Sequence, residues 1–294
     1  MKALISGIKR MEIHDGDGLR TTVFFKGCPL KCIWCHNPES LSFAPQIAYF
    51  KEKCMGCQQC ISVCKEKVFT TRVPPFEPCS FCFECVKECP TNALVAYGEK
   101  YTLDGLLSVL LQDQLFFKNG QGGVTLSGGE CLAQSESAIL LAQALFEYGI
   151  SVNIDTCGYV KRDIFERILP FVDTFLYDVK AFDKDVHCAL TGKDNTLILD
   201  NLKYLSQKNA KIEVRYPLVK GYNDNECEKI ARLLSELSIK RVKVLQYHHF
   251  AASRYHALGY ENTMPNVNTT FEDVERCVEI FKSYGIEAVN GMKS

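Results

Sequence analysis

Short runs of β-branched and other apolar residues recur along the chain, separated by longer segments in which apolar residues follow a helical period. Such runs predict β-strands, and a period of about 3.6 residues predicts amphipathic helices. Six strands are predicted in this way, over residues 21–25, 124–127, 151–155, 174–179, 211–218 and 241–247. The chain therefore alternates strand and helix through most of its length.

The helical pattern is clearest in three segments. They are marked by Leu103, Leu106, Leu107, Leu110 and Leu111, by residues 139–146 behind Ser135 as an N-cap, and by residues 230–237. Strands joined by crossover helices pair in parallel, with right-handed connections. Six such units predict an α/β fold whose sheet curls into a partial (β/α)6 barrel, like part of a TIM barrel.

Composition and charge narrow the class of protein. The 294 residues are 47% hydrophobic and carry a formal net charge of −1, without the basic excess of a nucleic-acid-binding protein. The apolar run at residues 1–7 is too short for a signal peptide, and no run of about 18 apolar residues predicts a membrane span. We expect a cytoplasmic protein that binds neither nucleic acid nor a membrane.

Sixteen cysteines in a reducing cytoplasm indicate metal ligands rather than disulfides. Their density divides the chain into residues 1–50, a cysteine-rich insert over residues 51–97, and residues 98–294. The insert repeats the spacing C-x2-C-x2-C-x3-C, at Cys54, Cys57, Cys60 and Cys64 and again at Cys79, Cys82, Cys85 and Cys89. With this spacing the fourth cysteine of each run ligates the other cluster. We therefore expect a ferredoxin-like insert, with Cys89 completing one 4Fe-4S cluster and Cys64 the other.

The insert has two open interpretations. Clusters closed by four thiolates are suited to electron transfer. The same clusters would also staple a segment too small to build its own apolar core.

Three further cysteines, Cys28, Cys32 and Cys35, lie just after the first predicted strand. Three thiolates hold only three irons of a four-iron cluster, so the fourth iron is open to an outside ligand. The alternative is a zinc site closed by His36.

Polar and glycine-rich motifs follow five of the predicted strands. They are Ser127-Gly128-Gly129-Glu130, Asp155-Thr156-Cys157-Gly158, Asp178-Val179-Lys180, Arg215-Tyr216-Pro217 and Tyr247-His248-His249. Each alone could be a surface charge or a helix cap. Parallel strands bring their carboxyl ends to one edge of a sheet, where barrel enzymes have their active sites. Their coincidence at five successive strand ends predicts a functional site.

The motifs resemble those of the glycyl-radical-enzyme activating enzymes, members of the radical S-adenosylmethionine (SAM) superfamily. The resemblance covers essentially the whole chain and includes the C-x3-C-x2-C loop, the strand-end motifs and the segment His14-Asp15-Gly16-Asp17-Gly18-Leu19-Arg20. The two-cluster insert is similar to the subgroup that serves dehydratases, decarboxylases and lyases. The family often has proline where this chain has Asp17 and Cys131.

The resemblance implies roles for individual residues. Cys28, Cys32 and Cys35 would hold the SAM-binding cluster and, with Lys180, form the catalytic set. At SAM, the amino group would be held by Gly128, Gly129 and Glu130, adenine would lie near Trp34 and His36, and the carboxylate and ribose would contact Lys180 and His248. A monovalent cation would be bound by Asp155, Thr156, Asp178 and the Val179 carbonyl. The partner's glycine loop would face Asp15 and Arg215.

The resemblance also implies cofactors and partners. We expect three 4Fe-4S clusters, SAM as a cosubstrate, a glycyl radical enzyme as the protein substrate and a flavodoxin or ferredoxin as the electron donor. Two alternatives remain: a radical SAM enzyme acting on a small molecule, and a ferredoxin-like electron carrier. Five cysteines lie outside all three clusters and are expected to pack as small buried side chains: Cys131, Cys157, Cys188, Cys227 and Cys277.

Overall fold

The computed structural model describes residues 2–69 and 74–292. The described strands are β1 Lys2–Glu12, β2 Arg20–Phe25, β3 Gln46–Tyr49, β4 Leu94–Tyr97, β5 Glu99–Thr102, β6 Gly123–Gly128, β7 Ser151–Thr156, β8 Thr174–Asp178, β9 Ile212–Leu218, β10 Arg241–Gln246 and β11 Glu287–Asn290. The described helices are α1 Gln59–Val63, α2 Glu84–Lys87, α3 Leu103–Leu110, α4 Gln114–Asn119, α5 Ser135–Glu147, α6 Arg162–Ile168, α7 Lys184–Thr191, α8 Thr196–Gln207, α9 Cys227–Glu236, α10 Ala252–Ala257 and α11 Phe271–Ser283.

Nine of the described strands form one sheet, in the order β11-β10-β9-β8-β7-β6-β2-β1-β5. Neighbouring strands from β2 through β6 to β11 are parallel. At one edge β1 pairs antiparallel with β2, and β5 pairs antiparallel with β1. The sheet is therefore mostly parallel, with β11 and β5 as its two edges.

The six predicted strands are confirmed as β2 and β6 to β10, each within one residue of the predicted bounds. The count of six was nevertheless too low, because β1, β5 and β11 were not predicted. Only Ala3 and Ile5 are buried in the eleven residues of β1, and β5 buries none of its four. Strands without a buried apolar run give no signal of the kind used for the prediction.

The three predicted helices are confirmed as α3, α5 and α9. Their apolar faces pack against the sheet, for example Leu141 and Leu145 of α5 in the same core as Val124 and Val152. No helix in residues 2–69 and 74–292 is long and apolar enough to cross a membrane.

The predicted N-cap of α5 was wrong. A 3₁₀ turn over Cys131–Gln134 leads directly into the helix, so Ser135 already has helical dihedral angles. The cap position belongs to Gln134, whose side chain makes no capping bond. It instead accepts a hydrogen bond from Leu4 N at 2.9 Å and donates one to Lys26 O at 2.9 Å.

The cysteine-rich insert is carried on a separate two-stranded sheet, in which β3 pairs antiparallel with β4. One face of this two-stranded sheet supports a small apolar core that includes Ile47, Phe69 and Leu94. The other face, with Ala48 and Phe50, packs on α10 of the main domain. Residues 70–73 of the insert lie outside the described residues.

Three of the cysteines expected to pack as free buried thiols do otherwise. Cys227 of α9 and Cys277 of α11 form a disulfide, with their Cα atoms 6.1 Å apart. Cys188 is free but exposed. The two cysteines are 50 residues apart in the sequence, so only the tertiary fold reveals the pair. Cys131 and Cys157 are free and buried, as predicted.

Candidate functional site

A cavity of about 510 Å³ opens where the parallel strands end. Its wall takes residues from β1, β2 and each of β6 to β10, so the sheet curves around it. Fourteen of the sixteen residues predicted for the SAM site, its cation and the partner line this cavity. They are Asp15, Cys28, Cys32, Trp34, Cys35, His36, Gly128, Gly129, Asp155, Thr156, Asp178, Lys180, Arg215 and His248.

The three-cysteine loop is fixed by main-chain hydrogen bonds to distant parts of the chain. Lys31 N donates to Thr191 O at 2.8 Å and Ile33 N donates to Leu190 O at 3.0 Å, which uses carbonyls at the end of α7. The Tyr255 hydroxyl donates to Cys35 O at 3.1 Å. Three thiols are thus presented by a loop that is ordered from both sides.

Burial keeps two of the loop thiols, those of Cys32 and Cys35, protonated in the free protein. It raises the pKa of Cys32 to about 12, against a smaller opposing effect of Lys180. It also raises the pKa of Cys35, to which the neighbouring thiols of Cys32 and Cys28 add. Metal ligation requires thiolates, so loading this site must release protons.

The geometry argues against a zinc site closed by His36. Its Nε2 bonds with His248 O at 2.7 Å, and its ring stacks on the His248 ring with centroids 4.1 Å apart. Within residues 2–69 and 74–292, no three His, Cys, Asp or Glu side chains are placed to hold a single metal ion.

The glycine turn after β6 presents its backbone to the cavity. Gly128 has a φ of +116°, and a Cβ at this position would lie 2.1 Å from Phe25 O. Gly129 N donates to Phe25 O at 2.9 Å, which ties the turn to the strand that precedes the three-cysteine loop. Only glycine fits this close approach.

Glu130 lies outside the cavity wall, and its predicted contact with the SAM amino group stays a prediction. It is fully buried behind the wall, and its carboxylate accepts hydrogen bonds from the Thr156 hydroxyl at 2.8 Å and from Cys157 N at 2.8 Å. A third bond comes from Leu132 N at 3.0 Å, so both carboxylate oxygens are engaged by protein donors. Glu130 therefore positions the loops after β6 and β7.

Val179 also lies outside the cavity wall. It is 1% exposed and its amide donates to Arg215 O at 3.0 Å. The position of its carbonyl as a cation ligand remains a prediction.

Charged side chains meet on the cavity floor. Arg215 lies 3.5 Å from both Asp15 and Asp155, and Lys180 lies 2.5 Å from Asp178. Burial raises the pKa of Asp155 to about 6, although Arg215 opposes the rise. Burial works against the charged form of Lys180, but Asp178 and Cys32 raise its pKa above the ordinary value. The site thus keeps a buried ammonium charged beside the three-cysteine loop.

The loop that carries Asp15 is anchored on both sides. The Thr22 hydroxyl donates to Asp15 Oδ2 at 2.8 Å, and the Thr125 hydroxyl donates to Asp15 O at 2.7 Å. Asp17, at the position where the family often has proline, forms ion pairs with Lys211 at 3.4 Å and Arg241 at 3.2 Å. These pairs hold the loop against β10 and the chain leading into β9.

The sequence did not single out several other wall residues. They are Lys9, Glu12, Lys243, Gln246 and Met292. Lys243 lies on the same face of β10 as Arg241 and Leu245. The period of two residues in a strand would have placed it on the inner face.

The cysteines of the insert lie near one another in two places. Cys54, Cys57, Cys60 and Cys89 line a second, smaller cavity together with Tyr49, Met55 and other residues. In the other group, burial raises the pKa of Cys85 to about 12, and the nearby thiols of Cys79, Cys64 and Cys82 add to the rise. Cys60 of the first group also acts on Cys85, so the assignment of Cys64, Cys79, Cys82 and Cys85 to the second cluster stays a prediction.

Comparison with known proteins agrees with this geometry. The family model of the radical SAM superfamily matches residues 68–234, more than half of the chain. Among solved structures, Streptococcus suis SuiB bound to its precursor peptide SuiA matches with a TM-score of 0.56. That match covers 90% of this chain and 46% of the other at 15% identity, so it shows the fold alone.

Curated relatives match nearly end to end. The trans-4-hydroxy-L-proline dehydratase activating enzyme of Clostridioides difficile is 39% identical over 293 residues, covering 95% of this chain and 97% of its own. The choline trimethylamine-lyase activating enzyme of Oleidesulfovibrio alaskensis is 38% identical over 298 residues, covering 96% of each chain. At this identity over nearly full length, the chain belongs to the activating enzymes of glycyl radical enzymes within the radical SAM superfamily.

Proposed function

We propose that this protein uses SAM to place a radical on the α-carbon of a glycine in a partner glycyl radical enzyme. One electron and SAM give methionine and a 5′-deoxyadenosyl radical, which takes the glycine hydrogen and leaves as 5′-deoxyadenosine. The observation that carries the proposal is the convergence of the three-cysteine loop, the Gly128-Gly129 turn and the Asp15–Arg215 pair on one cavity. Cluster, SAM and protein substrate would thus meet in one place.

Cys28, Cys32 and Cys35 fit a 4Fe-4S cluster because they are three soft donors on one ordered loop that borders the cavity. When bound, this cluster supplies the electron that cleaves the sulfonium of SAM. The chain's own task is to hold the reacting groups and keep other hydrogen donors away.

SAM would lie across the strand ends. Gly128 and Gly129 would hold its amino group through their backbone, with Glu130 acting behind them as a positioning residue. Lys180, charged and almost completely buried, would bind the carboxylate. Trp34 and His36 would lie near adenine, and His248 near the ribose.

Asp155, Thr156 and Asp178, with the Val179 carbonyl, are our proposed ligands for a monovalent cation beside SAM. All three side chains reach the cavity wall. Their oxygens are engaged in the structure, since Ser127 donates to Asp155 and Lys180 donates to Asp178. Cation binding would therefore require Lys180 to turn toward the SAM carboxylate.

The curved sheet is, in our proposal, the partial (β/α)6 barrel, built from residues 1–50 and 98–294. Residues 51–97 would be the ferredoxin-like insert with two further 4Fe-4S clusters, which brings the total to three. A flavodoxin or ferredoxin would donate the electron. Because the cluster ligands must remain reduced thiols before loading, we place the protein in the cytoplasm.

The insert clusters would relay electrons to the site. The β3–β4 sheet packs on α10, and Tyr255 of α10 contacts the three-cysteine loop, so α10 links the insert to the site. Cys57→Ala and Cys82→Ala should then lower turnover with a flavodoxin as the reductant, and Cys188→Ser, an exposed cysteine outside the clusters, should not. Unchanged turnover in both insert variants would leave the clusters a purely structural role.

The cleavage of SAM tests the core of the proposal. The reconstituted, reduced protein should convert SAM to equal amounts of methionine and 5′-deoxyadenosine under anaerobic conditions. Cys32→Ala, which removes one loop thiol, should abolish this conversion while the insert clusters still give their absorption. SAM cleavage that persists in Cys32→Ala would reject the assignment of the site.

A further inference from the structure

One buried cation in the cavity wall has no role in the function proposed above. Lys243, in the middle of β10, is 8% exposed and lines the cavity. It is in register with Arg215 of β9, which is in turn in register with Asp178 of β8. Lys243 therefore belongs to a row of charged side chains that faces inward, below the strand ends.

The carboxylates around Lys243 are already engaged by other cations. The pairs are Asp15 and Asp155 with Arg215, Asp178 with Lys180, and Glu213 with Arg241. Across residues 2–69 and 74–292, no hydrogen bond or ion pair reaches the Lys243 ammonium. Among the cations of this row, Lys243 is thus the one without a direct hydrogen-bonding or ionic partner in the described part of the chain.

Lys243 is 8% exposed, and an ammonium that gives up part of its hydration without gaining a protein acceptor is unfavourable for the free protein. Burial, followed by the positive charge of Arg215, lowers the pKa of Lys243. Because the side chain borders the cavity, an oxygen from a bound molecule can supply the missing acceptor.

The place of Lys243 in the sheet indicates which molecule this is. Its other neighbour in register is Val289 of β11, the edge strand, and the cavity wall beyond that strand is Gly291 and Met292. A Cβ on Gly291 would lie 3.5 Å from Lys243 Cε, so the Lys243 side chain passes close to the backbone at Gly291. Most of the SAM motifs lie on β6 to β8 and in the three-cysteine loop, whereas Lys243 lies on β10, one strand from the open edge of the sheet.

We propose that Lys243 is a specificity-determining residue that binds a carboxylate or main-chain carbonyl oxygen of the extended partner segment carrying the target glycine. This inference rests on the proposed function, because it assigns a contact to the same protein substrate. It predicts that Lys243 contributes to recognition of the partner and not to cleavage of SAM.

The test compares Lys243→Met, which keeps the length of the side chain without its charge, with Lys243→Arg and with the exposed control Lys240→Met. The probes are trans-4-hydroxy-L-proline dehydratase and choline trimethylamine-lyase, with radical formation followed by electron paramagnetic resonance. Lys243→Met should raise the KM for the activated probe about 10-fold or more, as expected for a lost charge-assisted hydrogen bond. The KM for SAM and the rate of SAM cleavage without a partner should not change, and Lys243→Arg should restore most of the loss.

A second measurement requires no partner. Because Lys243 has no acceptor in the free protein, Lys243→Met should raise the midpoint of thermal unfolding, and Lys240→Met should leave it unchanged. An unchanged partner KM, an altered KM for SAM, or a lower unfolding midpoint in Lys243→Met would each overturn the inference. Failure of the wild-type protein to activate either probe while it still cleaves SAM would instead count against the proposed partner class, and the unfolding midpoint would still decide the role of Lys243.

Discussion

At the scale of single residues, the cavity shows how burial changes ordinary side chains into positioned ones. The Glu130 carboxylate accepts hydrogen bonds from Thr156, Cys157 and Leu132, so it holds the loops after β6 and β7 that border the cavity. Asp155 is similarly enclosed, but it borders the cavity and faces the Arg215 guanidinium. Its protonation state therefore affects both the stability of the fold and the charge of the site.

The raised pKa of Asp155 gives a prediction for stability against pH. Its value is about 6 in the folded protein against 3.8 for an unperturbed aspartate. The folded state thus favours the protonated form, so this stabilisation is complete below about pH 3.8 and is lost as the pH rises through about 6. Asp155→Asn should remove that loss and change the unfolding free energy between pH 4 and 7 by about 1–3 kcal/mol relative to wild type.

Chemical denaturation of the metal-free protein at several pH values measures this effect. Asp104→Asn, at an exposed position, is the control and should follow wild type. A difference between Asp155→Asn and wild type that does not vary with pH would contradict the assignment.

At the scale of elements, α10 and the chain after it connect the insert to the site. Ala257 and Leu258 pack on the two-stranded sheet, β3 and β4, that carries the insert. Tyr255 donates to Cys35 O, and Arg254 pairs with Glu39 at 2.8 Å just beyond the three-cysteine loop. The insert and the loop are thus bound to the same helix.

Tyr255→Phe should loosen the three-cysteine loop while keeping the ring in place. Loss of one buried hydrogen bond, about 1 kcal/mol, should speed hydrogen exchange of the Ile33 and Cys35 amides about fivefold. Tyr216→Phe removes a similar buried hydroxyl-to-carbonyl bond, to Asn223, on another part of the fold and is the matched control. Equal exchange of these amides in both variants would show that α10 does not order the loop.

The disulfide between α9 and α11 gives a second prediction at this scale. Replacing Cys227 and Cys277 together with alanine should lower the unfolding free energy by about 2–4 kcal/mol under oxidising conditions. In excess dithiothreitol the wild-type protein should lose most of this difference. A double variant as stable as the oxidised wild type would mean that the bond contributes nothing to the fold.

At the scale of the whole molecule, the sequence predicted what local patterns encode. Buried β-branched runs marked β2 and β6 to β10, and the motifs at their ends marked most of the cavity wall. Strands with few buried residues, such as β1 and β5, were missed because they give no such run. Three other features depend on long-range packing: the Cys227–Cys277 bond, the contact of Tyr255 with Cys35, and the place of Lys243 beside Arg215 in the cavity wall.

The central claim, that this protein generates a glycyl radical in another enzyme, is tested most directly by electron paramagnetic resonance. The reconstituted, reduced protein would be mixed anaerobically with SAM and each member of a panel of glycyl radical enzymes, with 5′-deoxyadenosine quantified in the same samples. We predict a glycyl doublet with at least one panel member, accompanied by stoichiometric 5′-deoxyadenosine. If a protein with intact clusters gave no glycyl doublet and no 5′-deoxyadenosine, that result would contradict the account.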